Sequence, residues 1–105
     1  MPKLTIIYWR DIPAQVIGQQ GRKRFKQELP KRFAIAIDRA AMRAGRGSSH
    51  AYLEDWRRVS RPCQGVIERV VAEEIERLET QFPDSVLAVV IKADGVVAKT
   101  DQNSD

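Results

Sequence analysis

Cysteine and histidine each occur once, as Cys63 and His50, and that scarcity removes whole classes of chemistry. A lone cysteine forms no intrachain disulfide, the staple on which small secreted domains usually depend. One thiol and one imidazole, thirteen residues apart, fall short of the four ligands of a tetrahedral zinc site. A Cys63–His50 nucleophilic pair would need hydrogen-bond contact and a third group to orient the imidazole, and the pattern supplies neither. Cys63 follows Pro62 just before a helical pattern, where a thiol pKa can fall. A small half-apolar residue at a helix start explains it as well, and that reading is preferred. No apolar run approaches the roughly 18–20 residues of a membrane span. Near the start, Ile6–Trp9 is only four residues long before Arg10 and Asp11, too short for the core of a secretion signal. A cytoplasmic protein is expected, with no membrane partner. The phosphate-binding glycine patterns are also missing. Gly45-Arg46-Gly47-Ser48-Ser49 reads as a helix stop followed by a helix cap at Ser48 or Ser49. No catalytic residue, metal site or cofactor is therefore assigned.

What is present is an ordinary globular composition, 43% hydrophobic and 30% charged, over 105 residues. That length fits one domain, taken as residues 1–99 with a flexible tail at 100–105. Charge is unevenly spread. Residues 1–61 hold 14 Lys or Arg against 5 Asp or Glu, and residues 62–105 hold 4 against 9. Such asymmetry fits either a face for an anionic partner or two halves of one molecule that attract each other, and the second reading is favoured.

Residues 3–10 alternate, with Leu4, Ile6 and Tyr8 opposed to Thr5, Ile7 and Trp9, as in a strand apolar on both faces. Pro13 should break its pairing, and Ala14–Ile17 should return as a second strand of a hairpin. Phe25, Leu29, Phe33, Ile37 and Ala41 recur every four residues, so a helical region is expected over about 23–44, with Pro30 opening its main segment and Gly45 ending it. Tyr52 and Trp56 share a face of a helix expected over about 50–59. Val66 through Phe82 trace an amphipathic helix over about 64–82, with Glu73, Glu74 and Glu76 on its solvated face and Glu73 set to pair with Arg77. Residues 85–99 admit two readings, and β-branching favours a strand or hairpin over a helix begun at Asp84 and stopped at Gly95. The fold class is α+β: a small antiparallel sheet from residues 3–18 and 86–98, covered by about three helices.

The strongest polar feature is the basic patch Arg22, Lys23, Arg24, Lys26, Lys31 and Arg32, with Arg57, Arg58 and Arg61 as a second group. Such clusters neutralise phosphates, but no nucleic-acid-binding signature accompanies them. Nucleic-acid binding through a basic helix is kept as the alternative function. Aromatic and arginine side chains carry most interface energy, so Tyr8, Trp9, Arg10, Asp11, Tyr52, Trp56 and Arg57 are the interaction candidates.

Three stretches, LTIIYWRDIPAQV, ELPKRFAIAIDRAAMRAG and AYLEDWRR, occur in this order within about residues 3–82. Together they resemble the small bacterial "virulence factor" domain family, a domain type also found inside conserved virulence factor C proteins. The resemblance implies a protein-interaction role. In longer relatives the domain is similar to one module of an adaptor or assembly protein, beside a NifU-like segment and helical repeats. Small relatives encoded near folate-linked one-carbon enzymes imply an accessory subunit. The family label names no reaction, so no catalytic residue carries over. The expected function is a non-catalytic protein-interaction or accessory module of a bacterial cytoplasmic complex, with self-association left open.

Overall fold

A computed structural model describes residues 2–46 and 49–97 of the chain. Strand β1 (Lys3–Trp9) pairs with β2 (Ile12–Gln20), and a third strand, β3 (Lys23–Glu28), follows through a turn at Gly21, whose φ is +60°. Helix α1 (Lys31–Arg43) and a short α2 (Ser49–Glu54) lead into β4 (Trp56–Pro62). Helices α3 (Ile67–Gln81) and α4 (Asp84–Lys92) complete the described chain. The four strands form one antiparallel sheet in the order β3-β2-β1-β4. The α+β class is as expected, but the sheet is built differently.

Three elements differ from the sequence expectation. Residues 23–28 are an edge strand, not the start of a helix. Phe25 and Leu29 fit a helical stripe by spacing alone, while the pairing of Lys23–Glu28 with Gln15–Gln20 decides the local structure. Residues 56–62 are the other edge strand, so the helix expected over 50–59 ends at Glu54. Residues 84–92 are a helix, not a strand, and contribute nothing to the sheet. There Pro83 precedes the first turn, Asp84 favours its N-terminal dipole, and Gly95 at φ +89° follows its end. These signals outweigh the β-branching of Val86, Val89 and Val90. The opening of the main helix after Pro30 and its stop at Gly45 (φ +71°) hold. Ser48, the side chain of Ser49 and the tail from Thr100, the expected places of a cap and a flexible end, lie outside what is described.

Pro13 lies inside β2 instead of ending it. Tyr8 pairs with Pro13 and Ile7 with Gln15, which leaves Ala14 as an extra residue at a bulge. The freed Ala14 carbonyl accepts the Leu29 N–H at 3.0 Å and fixes the chain's entry into α1.

Residues paired across an antiparallel sheet point to the same face, so the register divides the sheet's two sides. One side carries Leu4, Ile6 and Tyr8 of β1, Val16 and Gly18 of β2, Phe25 of β3, and Arg57, Val59 and Arg61 of β4. Helix α3 lies on this side and buries Ile67, Val71, Ile75 and Leu78. A Cβ on Gly18 would stand 2.8 Å from Val71 Cγ2, so glycine permits the close approach. The core continues past the β1–β2 turn into Phe33, Ala36, Ile37 and Ala40 of α1 and Leu87 and Val90 of α4.

The acidic stripe of α3 is not uniformly solvated. Glu74 is buried at 4% exposure. Arg61 of β4 donates to it at 2.9 Å, and Arg77 holds the same carboxylate, displacing the expected Glu73–Arg77 pair. Burial disfavours the charged carboxylate, but the hydrogen bonds from Arg77 and Arg61 outweigh it and hold its pKa below the ordinary value. Folded-state depression means Glu74 stabilises fully above the ordinary glutamate range, about pH 4.3, and loses that contribution as pH falls through the lowered value. Glu74→Gln should therefore cost about 1–2 kcal/mol at pH 7, with the gap to wild type narrowing in urea melts as pH is lowered below the ordinary glutamate range.

A second test concerns the glycine after α4. An alanine Cβ at Gly95 would lie 2.9 Å from Trp9 Cζ3 at a left-handed φ, whereas Gly45 is equally left-handed but open. Gly45→Ala should cost about 1 kcal/mol for its backbone alone. Gly95→Ala should cost about 3 kcal/mol, the difference being overpacking against the indole, as read by chemical denaturation.

Candidate functional site

The second side of the sheet follows from the same register. Read across β4, β1, β2 and β3, its rows are Arg58–Ile7–Gln15–Glu28, then Ser60–Thr5–Ile17–Lys26, then Pro62–Lys3–Gln19–Arg24. Its outer positions Arg58, Ser60, Pro62, Lys3, Gln19, Arg24, Lys26 and Glu28 are all exposed, and Ile7 and Gln15 are half-buried. Thr5 and Ile17 sit at the middle of this grid and are shielded, with Thr5 Oγ1 2.8 Å from Ser60 Oγ. The contiguous core includes Leu4, Ile6 and Val16 but neither Ile7 nor Ile17. The rim of this face is exposed along three rows, while its central Thr5 and Ile17 are buried.

Its lower end meets the helices. Trp9 is fully buried there, its Nε1–H donating to the Tyr52 carbonyl at 3.0 Å. Tyr52 stacks on Trp9 with ring centroids 5.9 Å apart and meets Trp56 edge-on at 5.7 Å. Between this aromatic corner, α1, and Gln15 and Glu28 of the sheet lies a cavity of about 250 Å3, lined also by Ala14, Leu29, Ala34 and Ile37. Tyr52 and Trp56 are both half-buried.

The expected interaction residues thus part company. Tyr52 and Trp56 border an open cavity. Trp9 does not present a surface at all, and its place among the candidates is corrected: it is fully buried, with Tyr52 stacked on its ring and Gly95 close against it. Arg10, Asp11 and Arg57 are committed within the fold. Asp11 accepts from Arg57 at 3.0 Å and from the Val97 N–H at 2.8 Å. Arg10 donates to the Asp94 carbonyl at 2.9 Å and lies 3.3 Å from Asp55, which also accepts from Arg46 at 2.9 Å. Arg57 lies over the Tyr8 ring, 4.6 Å from its centroid. Burial raises the Tyr8 phenol pKa, against an opposing pull from Arg57. Together these contacts pin the β1–β2 turn to the start of β4 and the end of α4.

The basic patch also divides, because it lies on a strand and a helix start instead of one helix. Lys23 points to the α3 side and pairs with Glu68 at 2.9 Å. Arg32 packs over Phe33 and donates to the Phe82 and Glu79 carbonyls. Arg22 occupies the β2–β3 turn, and Lys31 is exposed in the first turn of α1. Arg24 and Lys26 point to the uncovered side. Lys3, Arg24, Lys26 and Arg58 carry no ion pair among the described residues, nor do Arg22, Lys31, Arg39, Arg69 and Lys92 elsewhere, whereas Arg10, Arg32, Arg43, Arg46, Arg57, Arg61 and Arg77 are each joined to a carboxylate. Lys3, Gln15, Ile17 and Glu28 escaped the sequence reading. The signal that finds them is a period of two carried through residues 3–9, 12–20 and 23–28 as paired strands.

The remaining reactive groups are dispersed. Cys63 is half-buried against the core, its N–H bonded to the Pro2 carbonyl at 3.0 Å, four residues before α3 begins. His50 is exposed beside Glu54, 3.2 Å away. Among the described residues, no three His, Cys, Asp or Glu side chains gather as metal ligands, and no helix is long and apolar enough to cross a membrane.

Comparison with curated proteins and with solved structures finds no match. A family model described as "Virulence factor" matches residues 7–91, a span that takes in β2, β3, β4, α1, α2, α3, all of α4 but its last residue, and the end of β1. The chain belongs to the virulence factor domain family.

Proposed function

We propose that this domain is a non-catalytic binding module, an accessory or adaptor subunit that holds another protein through its uncovered sheet face. The observation that carries the reading is the separation of its cations. The sheet face away from α3 gathers Lys3, Arg24, Lys26 and Arg58, none ion-paired among the described residues, with a single acid, Glu28, at one corner and a cavity rimmed by two aromatic rings beside it. Four unpaired charges on one flat surface repel one another, a cost that an oppositely charged partner would relieve. The half-buried Ile7 lies between these charges, giving the apolar centre and polar rim common to recognition surfaces. A cytoplasmic setting belongs to this reading, and a one-carbon-metabolism enzyme is the partner class to which the family resemblance points.

The test is recovery of the tagged full chain from its own cells, beside the double variant Lys26→Glu and Arg58→Glu. Both positions are exposed strand residues, so the variant should unfold within about 0.5 kcal/mol of wild type. A stoichiometric protein partner should accompany the wild type and be lost from the variant. A wild-type sample that comes out alone, or a partner held equally by both, would remove the basis for this assignment.

A further inference from the structure

We infer that the uncovered face takes an acidic protein segment carrying one apolar anchor residue, whose side chain enters the cavity beside Tyr52 and Trp56. This rests on the binding-module reading and specifies what it binds. Charge excludes the simplest rival, a second copy stacked face to face: each surface would present Lys3, Arg24, Lys26 and Arg58 against a single acid, Glu28. Like charges opposed across an interface work against association. The partner's contacting surface must be acidic.

A nucleic acid would also satisfy the charge, but the middle of the sheet argues against it. Single strands bound on a sheet stack their bases on aromatic side chains. Here the central positions are Ile7, Thr5 and Ile17, and the Trp9 ring is sealed in the core. Glu28, at the cavity mouth, would face the phosphates. β-Branched side chains ringed by cations suit a peptide's apolar and carboxylate groups instead.

Geometry narrows the segment further. The cavity, at about 250 Å3, has room for one bulky apolar side chain. Its wall at Gln15 and Glu28 belongs to the first sheet row, and Lys3 and Arg24 lie two rows on. Two rows span four residues of strand, about 14 Å. An extended segment anchored in the cavity therefore brings carboxylates over Lys26, Arg58, Lys3 and Arg24 within about five residues of its anchor.

The experiment is selection of a random 12-residue peptide display library on the immobilised full-length chain. Recovered sequences should be enriched in Asp and Glu within about five residues of a Leu, Ile, Phe or Met. A synthesised winner should bind at least about tenfold more weakly to Lys26→Glu with Arg58→Glu, and likewise to Ala34→Phe, which fills the cavity from an exposed helix position. Its affinity should fall with added salt. Enrichment without acidic residues, or winners indifferent to these substitutions, would overturn the inference. So would displacement of the winner by an equal concentration of a thymidine 12-mer, which would mark a general polyanion site. Failure to enrich any sequence overturns it too, while the pull-down above judges the module reading separately.

Discussion

The seat of α3 on one side of the sheet is the constraint from which the rest follows. It requires Gly18, since any side chain there would collide with Val71. It also requires that Glu74, turned inward, be met by Arg61 from the edge strand and Arg77 from its own helix. Breaking such a buried pair leaves an uncompensated charge, so the contact specifies where the helix sits more than it adds stability. With one helix fixed there, and Trp9 packed against Tyr52 and beneath Gly95 at the sheet's end, the outer positions of three rows on the opposite face stay exposed. The surface is a consequence of the packing, and its four cations are among the described ones that no carboxylate meets.

The sequence showed the strongly periodic elements well. β1 alternates without ambiguity, Pro30 and Gly45 bracket α1, and the i, i+4 stripe from Ile67 to Leu78 marks α3. The edge strands were hidden for a physical reason. Lys23–Glu28 and Trp56–Pro62 each hold few apolar residues, and their conformation comes from hydrogen bonds to distant strands. Lys, Arg, Gln and Glu favour helices locally, so only long-range pairing reveals the strand. In α4 the reverse occurs: β-branched residues sit in a helix because Leu87 and Val90, one turn apart, must both reach the core against α1.

The same confusion of period concealed the site. As a helix, residues 57–61 put Arg57, Arg58 and Arg61 on one side. As a strand, they send Arg57 and Arg61 towards α3, where Asp11 and Glu74 meet them, and leave Arg58 alone on the other face. Lys23 and Arg24 separate likewise. Tyr52 and Trp56 were legible as an aromatic pair, though Trp9, equally conspicuous in sequence, packs inside. Nothing in the sequence distinguishes an aromatic of the floor from one of the rim, because a sheet strand apolar on both faces gives both the same spacing.

The central claim is that the two sides of the sheet differ in solvent access, and methyl relaxation by a soluble gadolinium chelate measures this directly. The full chain, labelled at isoleucine methyls, should show strong enhancement at Ile7 and protection at Ile6, its neighbour on the α3 side. Equal protection of both methyls would mean that the face bearing Arg58 and Lys26 is covered, and the account of it as a recognition surface would be wrong.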